Sequence, residues 1–229
     1  MKSLFIIISF LISPVRIFAQ DDARDLKAKE ILRQVSAKYS KYSSIKASIR
    51  LIIENNQEGT TDTQKVTAWM KAEKYKLSTT DIETTSDGKT VWSYQKKSNE
   101  VNISEKDLKD DSFFSNPSQI FSNYESNFKY RYHGEKKSGS GIICEIDLFP
   151  ANLDKDVIQK GSNKTGYSRI RLEIDKTTYN IIAITYFSKD GNNIIIEITR
   201  MTTDTELPDT FFTFDPGKYA GIEIIDLRD

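Results

Sequence analysis

The sequence predicts a mainly β fold of the α+β class, in which about eleven antiparallel strands form one sheet that helices cover on one side. Three observations predict it. Apolar and polar residues alternate with a period of two over most of the chain from Ile45 to Ile198. Helical periodicity is confined to the amino terminus and one internal insertion. Two Asp-Gly pairs stand between alternating segments, where tight hairpins need them.

The amino terminus is typical of a secretory signal peptide. A basic residue precedes the apolar run from Leu4 to Ile12, and Ala19 provides a small residue at a cleavage point. The run is too short to span a bilayer core of about 30 Å. We therefore expect residues 1–19 to be a signal peptide, residues 20–229 to form a single domain, and the mature protein to be soluble outside the cytoplasm.

The composition excludes several kinds of partner. The 33 basic and 33 acidic residues give a formal net charge of zero, so nothing draws the whole chain to nucleic acid. Cys144 is the one cysteine, which excludes an internal disulfide and indicates a small buried hydrophobe in an alternating strand. We expect no cofactor, no metal site and no nucleic-acid partner.

Residues 23 to about 42 predict an amphipathic helix. Apolar residues recur at helical spacing on one side, and charged residues occupy the other. The apolar stripe consists of Leu26, Ile31, Leu32, Val35 and Tyr39. This stripe needs an apolar surface to cover, and the strands that follow supply one.

Six strands are predicted before residue 106 and five after residue 127. The Asp87-Gly88 pair supplies the positive φ angles of a hairpin, and the alternation after it places Trp92 and Tyr94 on one side of the sheet. Asp190-Gly191 joins the last two strands in the same way. The alternating segments are Ile45–Ile53, Val66–Met70, Tyr75–Leu77, Ile82–Ser86, Thr90–Tyr94, Val101–Ile103, Phe128–Tyr132, Ile142–Leu148, Ile170–Ile174, Ile182–Tyr186 and Ile194–Ile198.

The insertion from Lys106 to Ser126 interrupts the strand pattern and is rich in aromatic residues. Asn116 before Pro117 is typical of a helix start. We expect short helices here that lie, with the first helix, over the apolar side of the sheet. A sheet of about eleven twisted strands curls toward a barrel. Its interior is then either a filled core or an apolar pocket, and periodicity alone does not distinguish the two.

Four segments resemble the LolA family, the periplasmic carriers of outer-membrane lipoproteins. The hairpin from Ser86 to Tyr94 resembles the signature hairpin of that family. The segment Ser44-Ile45-Lys46-Ala47-Ser48 is similar to its opening strand, and Trp69-Met70-Lys71 to its Trp-x-Lys segment. Phe212-Thr213-Phe214, with Pro216 and Gly217, is similar to its closing motif.

The resemblance implies an incomplete β-barrel with helices as a lid over a hydrophobic cavity. It implies a monomeric carrier that takes up the acyl chains of lipoproteins from an inner-membrane ABC transporter. The carrier would deliver them toward the outer membrane, to a receptor where one exists. The family commonly follows Trp-x-Lys with Arg-Pro, and that arginine is taken to hold the lid closed. Here the positions are Ala72-Glu73, so the role is assigned neither to them nor to Lys74.

Strand parity, combined with this expectation, nominates residues that would line a lipid-binding cavity. Trp69 has the opposite parity to Met70, which predicts an outward indole available to a partner. The nominated strand residues are Ile49, Leu51, Val66, Ala68, Met70, Leu77, Trp92, Tyr94, Phe128, Tyr130, Ile146, Leu172, Ile184 and Ile196, and the nominated helix and lid residues are Leu32, Val35, Phe114, Ile120 and Phe121.

The sequence does not favour an enzyme. His133 and Cys144 have opposite parity, so they do not form a nucleophile and base pair. No metal-ligand spacing, phosphate loop or nucleophile elbow occurs in the sequence. Two alternatives to the carrier stay open. One is a lipid-binding receptor or envelope sensor of the same fold, such as LolB, and the other, less favoured, is a lipid hydrolase.

Overall fold

The structure, a computed structural model, describes residues 18–106, 124, 128–150 and 166–228. In these ranges the helix α1 spans Phe18–Tyr39, and twelve strands form one sheet. The strands are β1 (Ile45–Asn55), β2 (Thr60–Lys71), β3 (Lys74–Ser78), β4 (Ile82–Ser86), β5 (Thr90–Gln95), β6 (Glu100–Glu105), β7 (Phe128–Ser138), β8 (Gly141–Pro150), β9 (Tyr167–Asp175), β10 (Ile181–Ser188), β11 (Asn192–Thr203) and β12 (Glu223–Asp226).

The sheet is open, and its strand order is β12-β6-β5-β4-β3-β2-β1-β11-β10-β9-β8-β7. All neighbours are antiparallel except β12, which pairs with β6 in parallel. The end strands β7 and β12 do not pair with each other, so the sheet forms an incomplete barrel with a helix against it. The prediction of fold class is confirmed. The sheet contains the eleven predicted strands and one additional strand, β12.

The pairing of β1 with β11 joins the two halves of the chain at the middle of the sheet. It runs from Ile45 opposite Thr203 to Asn55 opposite Asn192, with one irregularity between Ser48 and Ile49. On its other side β1 pairs with β2 along its whole length. The two longest ladders of the sheet therefore share one central strand.

The predicted Asp87-Gly88 turn connects β4 and β5. The Asp87 carboxylate accepts hydrogen bonds from the backbone nitrogens of Lys89 and Thr90 at 2.9 and 2.8 Å. Gly88 has φ +99°, and a Cβ placed there would lie 3.3 Å from the Cβ of Glu73. The glycine is therefore required both by its backbone conformation and by its close neighbour.

The helix α1 begins at Phe18 and ends at Tyr39, earlier at both ends than predicted. Four residues of the predicted stripe, Ile31, Leu32, Val35 and Tyr39, are buried against the sheet together with Ala28. Leu26 does not belong to this buried face, because its side chain is 67% exposed. The helix defines one side of the sheet, which we call the helix face, and the other side is the opposite face.

The C-terminal segment crosses the opposite face. We call residues 204–222 the strap. The ammonium of Lys71 donates to the carbonyl of Leu207 at 2.7 Å and to the Asp209 carboxylate at 3.1 Å. Lys74 pairs with the same carboxylate at 2.8 Å. After the strap, β12 adds to the sheet beyond β6, so the segment reaches from the centre of the sheet to its edge.

Aromatic residues fix the strap to the sheet. Tyr94 contacts the rings of Phe214 and Tyr219, at 5.6 and 4.5 Å between centroids, and those two rings stack at 4.9 Å. Phe212 lies in the first of two short 3-10 helices of the strap, Asp209–Phe212 and Pro216–Lys218, and is fully buried. The segment that resembles the family's closing motif is thus part of the strap.

Trp69 is on the opposite face, as its parity predicts, but its indole is covered. The ring of Phe211 packs edge-on against it at 5.6 Å, and the residue is only half-exposed. The prediction that Trp69 is free for a partner is wrong, because the strap occupies that position. The predicted lid helices lie outside the described residues, except for Lys106 and Tyr124.

Replacing Phe212 by alanine will destabilise the protein by about 3 to 5 kcal/mol, because a fully buried phenyl ring is lost and a cavity remains. Urea unfolding followed by circular dichroism measures this change. Leu227→Ala is the matched control in the same C-terminal region, since Leu227 is 62% exposed. A Phe212→Ala effect no larger than the control effect would show that the strap does not contribute to the stability of the sheet.

Candidate functional site

The helix face of β1 and β7 to β11 carries a continuous row of apolar side chains. Each member lies directly opposite the next on the neighbouring strand, and all are buried. Such direct cross-strand neighbours are in contact on one face of a sheet. The row runs through Leu51, Ile196, Ile184, Leu172, Ile146 and Tyr132.

Most of the nominated residues meet in one cluster on the helix face. The helix α1 contributes two of them. The others come from β1 and from strands on both sides of it. Phe128 and Tyr130 are partly buried against the cluster. Phe114, Ile120 and Phe121 lie outside the described residues. The nominated residues inside the cluster are Leu32, Val35, Ile49, Leu51, Val66, Ala68, Met70, Leu77, Ile146, Leu172, Ile184 and Ile196.

Trp92 and Tyr94 do not belong to this cluster, so their nomination to the helix face is wrong. Tyr75, on the helix face, lies opposite Ser86, and Ser86 lies opposite Val91. Because side chains alternate along a strand, Trp92 and Tyr94 lie on the opposite face. They pack there against the strap with Val101 and Phe214. The alternation was predicted correctly, but the face was not.

The helix face of β4, β5 and β6 is mostly polar, with Ile82 and Val91 as its apolar residues. Thr84 lies opposite Ser93, and Ser93 lies opposite Asn102, while Val91 lies opposite Ser104. These residues are half-exposed. The row that starts with Leu77 opposite Thr84 therefore changes from apolar to polar between β3 and β4. The helix face thus has an apolar part, β1–β3 with β7–β11, and a polar part, β4–β6.

Six buried tyrosines are among the residues of this cluster that the nomination missed. Tyr124 is, with Lys106, one of the two described residues of the insertion, and burial raises its pKa well above the usual value. Tyr39 accepts a hydrogen bond from the backbone nitrogen of Ile181 at 3.1 Å, and burial raises its pKa to about 12. Their strand and helix parity could have identified them. The buried tyrosines in the cluster are Tyr39, Tyr75, Tyr124, Tyr132, Tyr167 and Tyr186.

Polar contacts attach α1 to the sheet near the middle of the helix and near its C-terminal end. Lys27 and Lys176 lie 2.9 and 3.0 Å from the Glu135 carboxylate, which also accepts a hydrogen bond from the Tyr132 hydroxyl at 2.8 Å. Lys38 donates to the carbonyl of Thr178 at 2.6 Å. Partly exposed ion pairs each contribute little to stability. These polar contacts therefore add only weakly to the apolar packing that holds the helix against the sheet.

The turn after Trp-x-Lys carries Ala72 where the resemblance expects arginine and Glu73 where it expects proline. The Glu73 carboxylate lies 2.9 Å from the ammonium of Lys106, the first residue after β6. The Lys106 side chain is only 2% exposed, whereas Glu73 is 70% exposed. This ion pair connects the β2–β3 turn to the start of the insertion.

Cys144 and His133 lie on different sides of the sheet. Cys144 is buried on the helix face, opposite Ile174, and burial raises the pKa of its thiol. His133 lies on the opposite face, with its Nδ1 atom 3.5 Å from the Asp147 carboxylate. Among the described residues, no group of three or more His, Cys, Asp or Glu side chains could hold a metal ion. Within the same ranges, no helix has the length and apolar character needed to cross a membrane.

No protein-family model and no curated protein matches the sequence. Solved structures do share the fold. An uncharacterised conserved protein from Thermus thermophilus is 14% identical, with a TM-score of 0.56 over 87% of this chain and 99% of that chain. A LolA superfamily protein from Nitrosomonas europaea is 10% identical, with a TM-score of 0.43 over 82% and 97%. LprF from Mycobacterium bovis is 14% identical, with a TM-score of 0.39 over 81% and 97%.

Replacing Glu135 by glutamine will lower the stability of the protein at neutral pH. The hydrogen bonds from Lys27, Tyr132 and Lys176 lower the pKa of Glu135 from 4.5 to about 2. A carboxyl with a lowered folded-state pKa stabilises the fold above its unfolded pKa, and this contribution disappears as the pH falls toward the folded pKa. The urea midpoint of Glu135→Gln should therefore lie below that of the wild type at pH 7, and the difference should close between about pH 4.5 and 2.

Glu58→Gln, in the exposed turn between β1 and β2, is the control for this experiment. It should leave the midpoint unchanged across the same pH range. A difference between wild type and Glu135→Gln that stays constant down to about pH 2 would contradict the role of the Glu135 carboxylate in attaching α1.

Proposed function

We propose that this chain, which has a LolA-like fold, is a noncatalytic carrier of acylated cargo in the periplasm. Acyl chains would bind between α1 and the apolar part of the helix face. The cargo would be lipoproteins moved from an inner-membrane ABC transporter toward the outer membrane. The observation that supports this proposal is the row of directly paired apolar residues across β1 and β7–β11.

The width of the apolar part supports a binding role. Strands lie about 4.8 Å apart, so the eight strands β1–β3 and β7–β11 span roughly 34 Å. A single α-helix is about 10 to 12 Å wide with its side chains. The helix α1 alone therefore matches less than half of this width. The proposal assigns part of the remaining apolar width to the chains of the cargo.

The energetics fit a protein that receives a load and passes it on. Burial of one acyl chain of about 14 methylenes at about 0.8 kcal/mol each is favourable by about 11 kcal/mol before any cost is subtracted. Entry of the chain requires α1 to separate from the buried cluster, where Val35 packs, and from Glu135. That separation exposes apolar surface and offsets much of the gain, so the cargo can be released.

The polar part of the helix face supports an amphipathic cargo. An acyl chain on the apolar part would place its attached headgroup or peptide toward Thr84, Ser93 and Asn102. A glycolipid would fit the same arrangement. The proposal therefore has one competing candidate of the same class, a lipid or glycolipid binding protein or envelope sensor.

Mass spectrometry of the purified protein distinguishes these candidates. Copurification of triacylated lipoprotein or its lipopeptide is the result expected for the carrier. Copurification of free phospholipid or glycolipid instead would show that the cargo is that lipid and not a lipoprotein. Chemical turnover of the bound lipid would contradict a noncatalytic role.

Filling the apolar part should weaken binding of a triacylated peptide. Ala68, on the helix face of β2, is fully buried, and Ala183, on the opposite face of β10, is 6% exposed. Ala68→Phe should weaken the affinity at least tenfold, because the ring occupies the volume assigned to the chain. Ala183→Phe adds the same atoms on the other side of the sheet and should change the affinity less than twofold.

Overpacking costs about 1 to 3 kcal/mol of stability, so both variants are first compared by urea unfolding. Affinity is then measured by fluorescence with a labelled triacylated peptide. Equal losses in the two folded variants, or no binding to the wild type, would contradict the proposed site.

A further inference from the structure

Basic and aromatic side chains form a two-row arrangement on the opposite face of β7 to β10. In the first row Arg131 lies opposite Asp147, which lies opposite Arg171. In the second row Lys129 lies opposite Phe149. Arg169, next along this face from Arg171, lies opposite Phe187. We call Lys129, Arg131, Phe149, Arg169, Arg171 and Phe187 the cationic grid.

A buried carboxylate holds the two arginines of the grid in place. The side chain of Asp147 is 7% exposed. Arg171 donates two hydrogen bonds to it, at 2.7 and 3.0 Å, and Arg169 donates one at 3.1 Å. The guanidinium carbon of Arg169 also lies 3.9 Å from the centroid of the Phe187 ring. Both guanidinium groups are therefore fixed before any partner arrives.

The grid carries a local excess of positive charge, although the chain as a whole has no net charge. Four cations against one carboxylate leave a net charge of +3, whereas the whole chain has a formal net charge of zero. Lys129 and Arg131 are exposed and form no ion pair with any residue that the structure describes. The next carboxylates along these strands, Glu145 and Glu173, are already bridged by Lys136 at 3.2 and 2.6 Å.

Apolar surface lies between these cations. The Phe149 side chain is 37% exposed, and Phe187 is half-exposed beside Arg169. On the same face of the sheet, β2 to β6 are covered by the strap, so the grid is on the half that the strap leaves uncovered. Cations beside exposed aromatic rings match the interface of an anionic bilayer, where lipid phosphates meet the first carbon atoms of the acyl chains.

We propose that the cationic grid binds the surface of an anionic membrane. Lys129, Arg131 and the outward atoms of Arg169 contact lipid phosphates, and the Phe149 ring enters the interface. The exposed phenyl ring favours a bilayer over an acidic protein, because charge pairing with a protein requires no apolar side chain at this position. Attraction by so few cations is reversible and screened by salt, with a Debye length of about 8 Å at physiological ionic strength.

This membrane contact uses the side of the sheet that faces away from the proposed acyl site. It does not depend on the carrier function, and the two can fail separately. If the protein binds triacylated peptide but not vesicles, the membrane contact is wrong. If it binds vesicles but not the peptide, the carrier function is wrong.

Vesicle cosedimentation tests the contact with the purified protein. At low salt, the wild type should bind phosphatidylglycerol vesicles at least fivefold more tightly than phosphatidylcholine vesicles, and raised salt should abolish the difference. Lys129→Gln with Arg131→Gln should remove at least four-fifths of this binding, and Phe149→Ser should weaken it as well. The double control Lys65→Gln with Lys89→Gln makes the same change of charge at two exposed lysines, one in β2 and one in the β4–β5 turn, and should bind as the wild type does.

Three results would overturn the proposal. They are equal binding to both kinds of vesicle, equal losses in the grid variant and the control, and binding of polyglutamate at the grid without binding to vesicles. The last result would replace the membrane with an acidic protein partner. The salt dependence is measured on the wild type, so the test holds even if a variant fails to fold.

Discussion

Direct cross-strand pairing of apolar residues on the helix face is the constraint on which the rest of the structure depends. Leu51, Ile196, Ile184, Leu172 and Ile146 are neighbours only in the observed register. A slip of one residue in any of these ladders would turn one strand's apolar side chains to the other face. The helix α1 would then lose the surface that it covers, and so would any acyl chain bound beside it.

The apolar side of the sheet changes between β3 and β4. On β1–β3 and β7–β11 it is the helix face, whereas on β5 and β6 it is the opposite face, where Trp92, Tyr94 and Val101 meet Phe214. Each half therefore needs its own cover, α1 for one and the strap for the other. Among the described residues, neither α1 nor the strap covers two regions of different chemistry, the mostly polar helix face of β4–β6 and the cationic opposite face of β7–β10.

The sequence predicted the strands far better than it predicted their orientation. Alternation identified eleven of the twelve strands and placed ten of the nominated strand residues in one buried cluster, because period two is a local property. It could not say which face of β5 is covered, since that depends on the strap, which lies far later in the chain. Trp92 and Tyr94 were therefore assigned to the wrong side. The short β12, Glu223–Asp226, pairs in parallel with β6 and has no hairpin signal.

The cationic grid also escaped the sequence analysis for a physical reason. Lys129, Arg131, Arg169 and Arg171 are ordinary polar positions of two strands when each strand is considered alone. Only the ladder β7-β8-β9 places them around Asp147. Net charge gave no indication, because a local excess of cations is cancelled by carboxylates elsewhere in the chain.

The central position of β1 has a consequence for the timing of folding. Its partner β11 follows it by about 150 residues, so the two halves of the sheet cannot join until the strand that ends at Thr203 has been synthesised. Contacts between residues so distant in the chain slow the rate of folding, because closing a long loop costs entropy before any pairing compensates for it. The two halves of a nascent chain with this topology therefore remain unjoined until β11 is available.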